Sequence, residues 1–512
     1  MPEEVPASFL PSKLPWEMRK SNAESDNFYA STLPRKPELV FSVNISAIMA
    51  DWLANAIVEG DKIFLANHQG IYALNRDNGT LIWGVEVYSD TLEGRSVSHP
   101  QPVTKWRALG LWRFVEAYGV GKYLFVGTSS TPGGEGDAYL LALNKENGEL
   151  VWKVKLESEA NASSRSAVTS NLIVAEGKVY VGSVRDEGYV FCVSEDGNFI
   201  WRNKVGANVR GLAYGDGVLF VTSEPSKKLY ALNAKTGAII WVFEHDAMLN
   251  APSYRNGKII LSDSQGNLLA LSKDGKLLWK KFLGVSGDVN NDPYIAVSDR
   301  SIYAVRGLGE GPLNLLILDF DGNVAGNFTM ASDERGGKPV ASRDVVILPA
   351  VKERGGSKIY LLWRGSQKLS EFEFPSGDGW IPTLSVAYSE IYVASPNVLY
   401  KLSDTEKPKI SSVEVKLANE TLIFNVKAYD EGSALYKVLL VYSLNNSPWN
   451  YTEMEISRRY VMEPIGGYGL AEEDYTARVE VKPGLTVEFY IVAVDNSGNY
   501  ETSKVYAYRI SK

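Results

Sequence analysis

Cysteine and histidine are nearly absent from this sequence of 512 residues, which contains one Cys and three His. The single Cys192 excludes an intrachain disulfide and any metal cluster built from several thiolates. It occupies an apolar position of an alternating run, so we predict a buried and unreactive thiol. Because thermolabile side chains are scarce, the composition also favours a thermophilic source.

Long hydrophobic runs and an excess of basic residues are missing as well. No stretch approaches the roughly 20 apolar residues of a membrane-spanning helix, so no transmembrane segment is predicted in this chain. The formal net charge is −8 and the pI is about 5.3. This acidic balance argues against nucleic acid as a partner. The first residues lack the basic start and apolar core of a signal peptide.

What the sequence has instead is a repeated phrase, clearest in the segment LYALNAKTGAIIW that ends at Trp241. Two short apolar runs flank a polar turn that contains Gly, which is the pattern of two strands joined by a tight hairpin. Further copies end at Trp83, Trp152, Trp201 and Trp279, and the last three copies are about 40 residues apart, a length that suits one four-stranded blade. The fold class is therefore predicted to be an all-β propeller.

Fainter copies of the phrase bring the predicted count to eight blades, with seven as the alternative if the copy at 337–374 is irregular. The blades are placed at 52–88, 113–157, 168–206, 208–245, 249–284, 292–330, 337–374 and 380–403. The last copy has only three strands, whereas residues 38–46 read as an outer strand without partners, with Phe41 at the position of the repeated Trp. We predict that this N-terminal strand completes the last blade, because the pairing removes both sheet edges.

The chain divides into three predicted parts. Residues 1–37 are Pro-rich and read as an extended linker that either packs on the ring or stays free. The eight-bladed propeller covers 38–406. Residues 407–512 have longer alternating strands and are predicted to form a β-sandwich whose last run resembles fibronectin-III and immunoglobulin-like domains. Within that run, residues 495–499 are interpreted as a hairpin turn rather than a cation site.

The repeated phrase resembles the PQQ-like (quinoprotein-type) propeller repeat, whose signature is roughly A-x-D-x-x-T-G-x-x-x-W. The segment from Ala231 to Trp241 fits this signature, with Asn233 in place of the Asp. The resemblance covers about residues 38–406 and implies a fold more strongly than an activity. In this family the aromatic residue of each repeat docks between neighbouring blades. The residues expected to do so here are Phe41, Trp83, Trp152, Trp201, Trp241 and Trp279.

The same resemblance bears on cofactors. Quinoprotein dehydrogenases hold PQQ over the ring axis with a vicinal disulfide and a Ca²⁺ ligand set, and one cysteine cannot supply the disulfide. No cofactor is predicted, and PQQ and calcium are left as unsupported alternatives. Asp288, Asn290 and Asp292 have the spacing of a calcium loop, but Pro293 and Asp299 stand where an EF-hand needs Gly and Glu. A polar connection between blades is the favoured interpretation.

The longest insertion, residues 89–112, holds most of the candidate ligand contacts. It joins an outer strand to the next inner strand, so we expect it over one mouth of the ring, either as a binding loop or as a lid on its own blades. Alignment of the repeats places further polar residues at the starts of inner strands, facing the axis. The candidate contacts are Arg95, His99, Trp106, Arg107, Trp112, Arg113, Arg210 and Asn250.

These patterns favour an extracytoplasmic, non-catalytic binding or assembly scaffold at the cell surface. The resemblance is greatest to the propeller lipoproteins of the bacterial β-barrel assembly machinery, and propellers of this repeat with an appended sandwich are usually exported. We expect a monomer that binds an envelope or surface protein, or a glycan, with a cytoplasmic location as the alternative. Two other functions stay open: a PQQ- or metal-dependent sugar or alcohol dehydrogenase, and a glycan-binding surface protein.

Overall fold

A computed structural model describes most of the chain. The described residues are 28–29, 33–45, 56–67, 70–87, 106–108, 113–130, 138–156, 167–168, 171–184, 188–206, 208–224, 226–284, 294–306, 314–352, 355–375, 383–395, 397–461 and 471–511. All the regular structure in these ranges is β-strand, which confirms the predicted all-β class. No helix with the length and apolarity needed to cross a bilayer occurs among them.

The strands are numbered in chain order. The first twenty are β1 (Phe28–Tyr29), β2 (Glu38–Asn44), β3 (Ile57–Glu59), β4 (Lys62–Ala66), β5 (Gly70–Asn75), β6 (Leu81–Glu86), β7 (Trp106–Ala108), β8 (Arg113–Val120), β9 (Leu124–Ser130), β10 (Ala138–Leu143), β11 (Leu150–Leu156), β12 (Ala167–Val168), β13 (Ile173–Ala175), β14 (Lys178–Val184), β15 (Gly188–Ser194), β16 (Phe199–Gly206), β17 (Asn208–Gly215), β18 (Val218–Glu224), β19 (Lys228–Asn233) and β20 (Ile239–Glu244). They are followed by β21 (Ser253–Arg255), β22 (Lys258–Ser262), β23 (Asn267–Ser272), β24 (Leu277–Phe282), β25 (Ile295–Val297), β26 (Ile302–Val305), β27 (Asn314–Leu318), β28 (Val324–Thr329), β29 (Glu334–Gly336), β30 (Val340–Ser342), β31 (Val345–Lys352), β32 (Ser357–Trp363), β33 (Gln367–Glu373), β34 (Thr383–Ala387), β35 (Glu390–Ala394) and β36 (Val398–Ser403). The C-terminal strands are β37 (Lys409–Ala418), β38 (Thr421–Tyr429), β39 (Leu435–Leu444), β40 (Asn450–Glu453), β41 (Glu455–Val461), β42 (Ala471–Glu480), β43 (Thr486–Asp495), β44 (Tyr500–Thr502) and β45 (Tyr506–Arg509).

Within the described residues, β2 to β36 contain eight four-stranded antiparallel units, the blades. In each blade strand 1 is innermost and strand 4 outermost. Blades 1 to 7 are β3–β6, β8–β11, β13–β16, β17–β20, β21–β24, β25–β28 and β30–β33. Blade 8 is β34, β35 and β36, with β2 as its strand 4. The N-terminal strand pairs antiparallel with β36, from Glu38 opposite Ser403 to Asn44 opposite Val398. This confirms the predicted closure by the N-terminal strand.

The blades form a closed circle. The innermost strands contact one another in the order β34, β3, β8, β13, β17, β21, β25, β30. Blades 7, 8 and 1 share one hydrophobic cluster, which contains Ile347, Leu384 and Ile63. Six further clusters of buried apolar side chains each lie between two successive blades. The core of the ring is therefore made of inter-blade layers, because each sheet is apolar on both faces.

Each repeated Trp packs against the hairpin turn of the following blade. Its indole Nε1 donates to a backbone carbonyl of that turn at 3.0–3.1 Å. The pairs are Trp83 with Lys145, Trp152 with Glu195, Trp201 with Ala234, Trp241 with Lys273 and Trp279 with Phe320. The turn must carry Gly: Gly237 has φ +74°, and a Cβ there would lie 2.5 Å from the Trp201 ring. In blade 8, Phe41 lies against Gly79 of blade 1 in the same way.

A β-bulge precedes the docking residue in the outermost strands. In β20 the register shifts so that Leu232 of β19 is opposite Ile239 and Ala231 is opposite Trp241, which leaves Ile240 as the extra residue. The bulge turns two successive side chains outward before the Trp turns inward. The same shift occurs in β2, β6, β11, β16, β24, β28 and β33. Blade 6 has no Trp in this position, and Tyr303 packs against Gly365 instead.

The C-terminal strands form two antiparallel sheets. One has the order β37-β38-β42-β41, and the other has the order β40-β39-β43-β44, with β45 also paired to β43. Both sheets contribute to one core, in which the rings of Phe424 and Phe489 meet edge to face at 4.8 Å. The last ring strand ends at Ser403 and the first strand of the sandwich begins at Lys409. The domain limits given above stay a prediction.

Two segments attach to the ring at places that the sequence did not indicate. Strand β1 pairs in parallel with β30 of blade 7, and Tyr29 and Leu33 are buried. Strand β7 of the 89–112 insertion pairs in parallel with β6, from Gly84 opposite Trp106 to Glu86 opposite Ala108. The prediction that this insertion lies over a mouth of the ring is wrong for its described part, which lies on the outer edge of blade 1. The physical reason is that β6 is an edge strand with unpaired backbone groups.

Candidate functional site

One end of the ring carries the longer connections between strands. Neighbouring strands of a blade are antiparallel, so the turns between strands 1 and 2 and between strands 3 and 4 emerge at the same end. The connections between strands 2 and 3, and between successive blades, emerge at the other end. We call these two ends the turn face and the loop face. The sandwich follows strand 3 of blade 8, and it therefore starts from the turn face.

Arg210 lies on the loop face, near the start of strand β17, as the repeat alignment predicted. Its Nη1 is 2.9 Å from Oε2 of Glu224, which ends the neighbouring strand β18. Each side chain is 22% exposed. The pair is half-buried, so its charges are only partly screened by water. Arg210 is thus engaged by an acidic residue of its own blade and ties two strands together where they reach the loop face.

Asn250 also lies on the loop face, where it belongs to a polar cluster that links blades 4 and 5. Its amide Nδ2 donates to Ser262 Oγ at 2.8 Å, and its backbone N–H donates to the carbonyl of the same residue. Beside it, Nε2 of His245 is 2.9 Å from Oδ2 of Asp263. Burial alone would raise the pKa of Asp263, but hydrogen bonds from His245 and Asn267 outweigh it and lower that pKa. The cluster is internally satisfied, and it braces the connection between the two blades.

The other predicted contacts fall into two groups. Arg113 begins strand β8 at the loop face, whereas Trp106 and Arg107 belong to β7 on the outer edge of blade 1. Arg113 thus shares the loop face with Arg210 and Asn250, whereas Trp106 and Arg107 lie on the outer edge of the ring and not with them. The remaining candidates lie outside the described residues. They are Arg95, His99 and Trp112 of the insertion, and Asp288, Asn290 and Asp292 of the predicted polar connection.

Buried Glu–Lys–Tyr groups occur between the strands of blades 7 and 8. Lys358 Nζ is 2.6 Å from Oε1 of Glu334, and the Tyr360 hydroxyl donates to Oε2 at 2.5 Å. Burial alone would raise the pKa of Glu334, but the hydrogen bonds from Lys358 and Tyr360 lower it. In blade 8, Glu390 is held by Lys401 at 3.1 Å. In both groups the charges neutralise each other, an arrangement that suits bracing of the blades more than acid–base chemistry.

The rim of the ring exposes pairs of apolar side chains, which sequence reasoning had assigned only to strands. They are the two residues before the docking aromatic, where the bulge turns both outward. The exposed positions are Leu39 and Val40, Leu150 and Val151, Phe199 and Ile200, Ile239 and Ile240, Leu277 and Leu278, and Val324. They cover blade 8 and blades 2 to 6. In blade 7 the corresponding residues are Lys368 and Leu369, and Leu369 is only partly exposed, so the apolar arc is interrupted there.

Three buried carboxylates form the candidate metal-ligand group of the described residues. Asp404, Asp430 and Asp495 each offer an oxygen, and these oxygens lie within 4.8 Å of one another. Sequence reasoning missed this group, because its members come from three separate segments. Only the turn that begins at Asp495 had been singled out, and it is indeed a hairpin turn: Asp495 accepts hydrogen bonds from the backbone and side chain of Asn499.

The family match to known proteins falls within the ring. Residues 67–204 and 186–406 match a family described as outer membrane protein assembly factor BamB. A tetrathionate hydrolase of Acidithiobacillus ferrooxidans is 28% identical over 236 residues, which are 41% of this chain and 40% of that protein. The chain therefore matches well under half the length of this curated relative.

Two solved structures resemble the chain. BamB from Moraxella catarrhalis has a TM-score of 0.49 at 13% identity, over 72% of this chain and 98% of that one. The computationally designed protein Ika8 has a TM-score of 0.45 at 11% identity, over 74% of this chain and 99% of that one.

Proposed function

The chain belongs to the family of the outer membrane protein assembly factor BamB, and on this premise we propose that it is a non-catalytic scaffold that binds a partner protein outside the cytoplasm, at the cell envelope. The family match spans most of the ring. The proposal includes an immunoglobulin- or fibronectin-III-like sandwich, a class typical of proteins at the cell surface. No cofactor is part of it.

The apolar rim is the observation that carries the proposal. Exposed apolar side chains scattered singly are ordinary, but a regular arc of pairs on consecutive blades marks an interaction surface. Ile240 is 53% exposed and Phe199 49%. Beyond each bulge, the outermost strand presents backbone N–H and C=O groups at a sheet edge. In blade 1 this edge is already occupied by β7 of the same chain.

We therefore propose that the partner is a protein that adds an extended apolar segment to the outer strand of one of blades 2 to 6. The pairing of β7 with β6 is the intramolecular counterpart of this mode of recognition. Apolar residues of the added segment would cover the exposed pairs, and backbone hydrogen bonds would set its register. The bulges limit uncontrolled pairing between copies of the chain, because they twist the edge locally.

The loop face supports a non-catalytic function. Two of its described pairs of ionisable groups are engaged within the protein: Arg210 with Glu224, and Asp263 with His245. A catalytic constellation needs a nucleophile or a base that is directed into a cleft and free to react.

The test starts from the purified chain as bait for an envelope fraction, with any captured protein then purified and its affinity measured by biolayer interferometry. A Lys substitution in the exposed pair of the strand that the partner covers, Ile240→Lys if that strand is β20, is expected to weaken binding at least tenfold, because a charge replaces an apolar contact. Val505→Lys is the matched control, since Val505 is an exposed apolar residue of the sandwich. Amide exchange should show protection of one outermost strand among blades 2 to 6 on binding and so identify which exposed pair to substitute. Equal binding by Ile240→Lys and wild type, without protection of any outer strand, would contradict the proposal.

The match to a tetrathionate hydrolase favours a second candidate function, hydrolysis of an inorganic polythionate. It is tested by incubating the purified chain with tetrathionate over a range of pH values and following the formation of thiosulfate, sulfate and elemental sulfur, which together account for the four sulfur atoms. A rate of product formation that increases with protein concentration would show that the chain is an enzyme and would contradict the scaffold proposal.

A further inference from the structure

Three buried aspartates meet where the ring joins the sandwich. Asp404 directly follows β36, the last strand of the ring, whereas Asp430 follows β38 and Asp495 ends β43 of the sandwich. All three are more than nine-tenths buried, at 4%, 6% and 0% exposure. One oxygen of each lies within 4.8 Å of the others. The group therefore combines one carboxylate from the ring with two from the sandwich.

Two oxygens of this group have no hydrogen-bond partner among the residues that the structure describes. Asp404 accepts from the backbone N–H of Glu406 through Oδ1, and its buried Oδ2 has no partner. Asp430 accepts from the backbone N–H of Ser433 through Oδ2 at 2.6 Å, and its buried Oδ1 has none. A buried carboxylate oxygen without a donor is costly unless a cation satisfies it. These atoms are therefore available as ligands.

Three turns of the protein begin with an Asp in the same arrangement, and they differ in what surrounds the carboxylate. Asp263, Asp319 and Asp495 each accept hydrogen bonds from the backbone N–H and the side-chain amide of the Asn four residues later. Asp319 is partly exposed to water, and the buried Asp263 is paired with His245. Asp495 is completely buried, yet the ionisable groups that act on it are two further carboxylates. Asp319 is thus reached by solvent and Asp263 by a histidine, whereas Asp495 is closed to solvent and has no cationic partner within the described ranges.

Electrostatics agree with this geometry. Burial raises the pKa of Asp404 to about 6 and that of Asp495 to about 7, and repulsion between the carboxylates adds to both. Burial also raises the pKa of Asp430. Arg35 acts on Asp430 in the opposite direction, and Glu406 adds a further negative charge. Hydrogen bonds from the Ser433 side chain to Asp404 and from Asn499 to Asp495 lower the pKa values of these two carboxyls, but burial and repulsion outweigh them. The surroundings therefore do not neutralise three ionised carboxylates.

We propose that Asp404, Asp430 and Asp495 bind one calcium ion that fixes the sandwich to the ring. The donors are carboxylate oxygens, which hard cations prefer, and the group contains no imidazole or thiolate that would favour zinc. One oxygen of each carboxylate lies within 4.8 Å of the others, which is compatible with a shared Ca²⁺ at about 2.4 Å. Magnesium usually keeps several of its waters, which suits a group more than nine-tenths buried less well.

The surrounding contacts suit a joint between the two parts. Asn499 Nδ2 donates to the backbone carbonyl of Asp404 at 3.1 Å, and the backbone N–H of Arg35 donates to the carbonyl of Gly432 at 2.6 Å. A Cβ at Gly432 would overlap the Asp404 carboxylate, so only Gly allows this approach. The ion would thus join strand ends that already lie in contact, and its removal would release them.

The experiment uses the full chain, stripped with EDTA and dialysed at pH 8, with CaCl₂ and MgCl₂ as the probes. Calorimetric titration is expected to show one calcium per chain. Calcium at a hundred times its Kd should raise the melting temperature of the full chain by about 2–3 °C. It should also slow amide exchange in residues 430–434 and 495–499. Magnesium should bind at least tenfold more weakly.

Asp495→Asn and Asp430→Asn are expected to weaken calcium binding at least tenfold, and in EDTA they should melt no lower than wild type because they remove buried repulsion. A variant that merely misfolds would melt lower. Asp319→Asn, in the matched turn of blade 6, should bind calcium like wild type. The proposal is overturned if the stripped wild type binds no calcium, if magnesium binds as tightly, or if Asp495→Asn keeps wild-type affinity.

Discussion

Replacing Trp83 by Ala tests the physical basis of the ring most directly. Trp83 is completely buried between blades 1 and 2. Its ring centroid is 6.0 Å from that of Phe64, its Nε1 donates to the Lys145 carbonyl at 3.1 Å, and Gly148 lies against its face. These neighbours lie on paired strands and tight turns, so they cannot collapse into the space that the indole leaves.

The expected loss of unfolding free energy is about 3–5 kcal/mol, as for large-to-small changes in well-packed cores. The hydrogen bond to Lys145 accounts for about 1 kcal/mol of it. For a ring of about 370 residues, an unfolding entropy near 2.1 cal/mol/K per residue converts a 4 kcal/mol loss into a fall in melting temperature of about 5 °C. Trp241→Ala should cost less, because Trp241 is partly exposed.

Thermal unfolding followed by circular dichroism at constant pH measures the effect. Trp449→Ala is the control, because Trp449 is 38% exposed on the sandwich, and that variant should melt within about 1 °C of wild type. The reasoning about inter-blade packing is refuted if Trp83→Ala melts within a degree of wild type, or no lower than Trp449→Ala.

Three further predictions follow from single positions. Gly237→Ala should be destabilised by about 1–3 kcal/mol more than Gly177→Ala, because both have positive φ but only a Cβ at position 237 meets an indole. The lowered pKa of Glu334 implies a stabilisation that is complete above its ordinary value of 4.5 and is lost as the pH falls through the folded pKa. Glu334→Gln, which leaves the buried Lys358 without its anionic partner, should therefore cost about 3 kcal/mol at pH 7 and progressively less below pH 4.5. Burial raises the pKa of Cys192 to about 12, so an aromatic disulfide reagent at pH 8 should label it only after unfolding.

Each of these predictions has an outcome that contradicts it. Equal melting temperatures of Gly237→Ala and Gly177→Ala would mean that the Gly237 turn tolerates a side chain beside the indole. If the difference in unfolding free energy between wild type and Glu334→Gln stays constant from pH 7 to pH 3, the ion pair does not cause the loss of stability. Rapid labelling of Cys192 in the native protein would show that blade 3 opens far more readily than its packing indicates.

The sequence by itself determined the repeating unit of this protein. Alternation of apolar residues, a Gly in the turn and a Trp after it are local features, and each blade satisfies most of its backbone hydrogen bonds within one stretch of chain. Even the long-range pairing of β2 with β36 could be predicted, because a three-stranded last copy and an isolated outer strand each lacked a partner. The role of Phe41 follows from the same alignment of repeats.

The tertiary structure alone decided which side chains meet across these units. The partner of Arg210 is Glu224 on the neighbouring strand, and the place of β7 depends on the free edge of β6; neither has a signature in the local pattern. Asp404, Asp430 and Asp495 look like ordinary turn residues in the sequence. They become a ligand group only when the end of the ring meets two strand ends of the sandwich, because burial and proximity depend on how these parts pack.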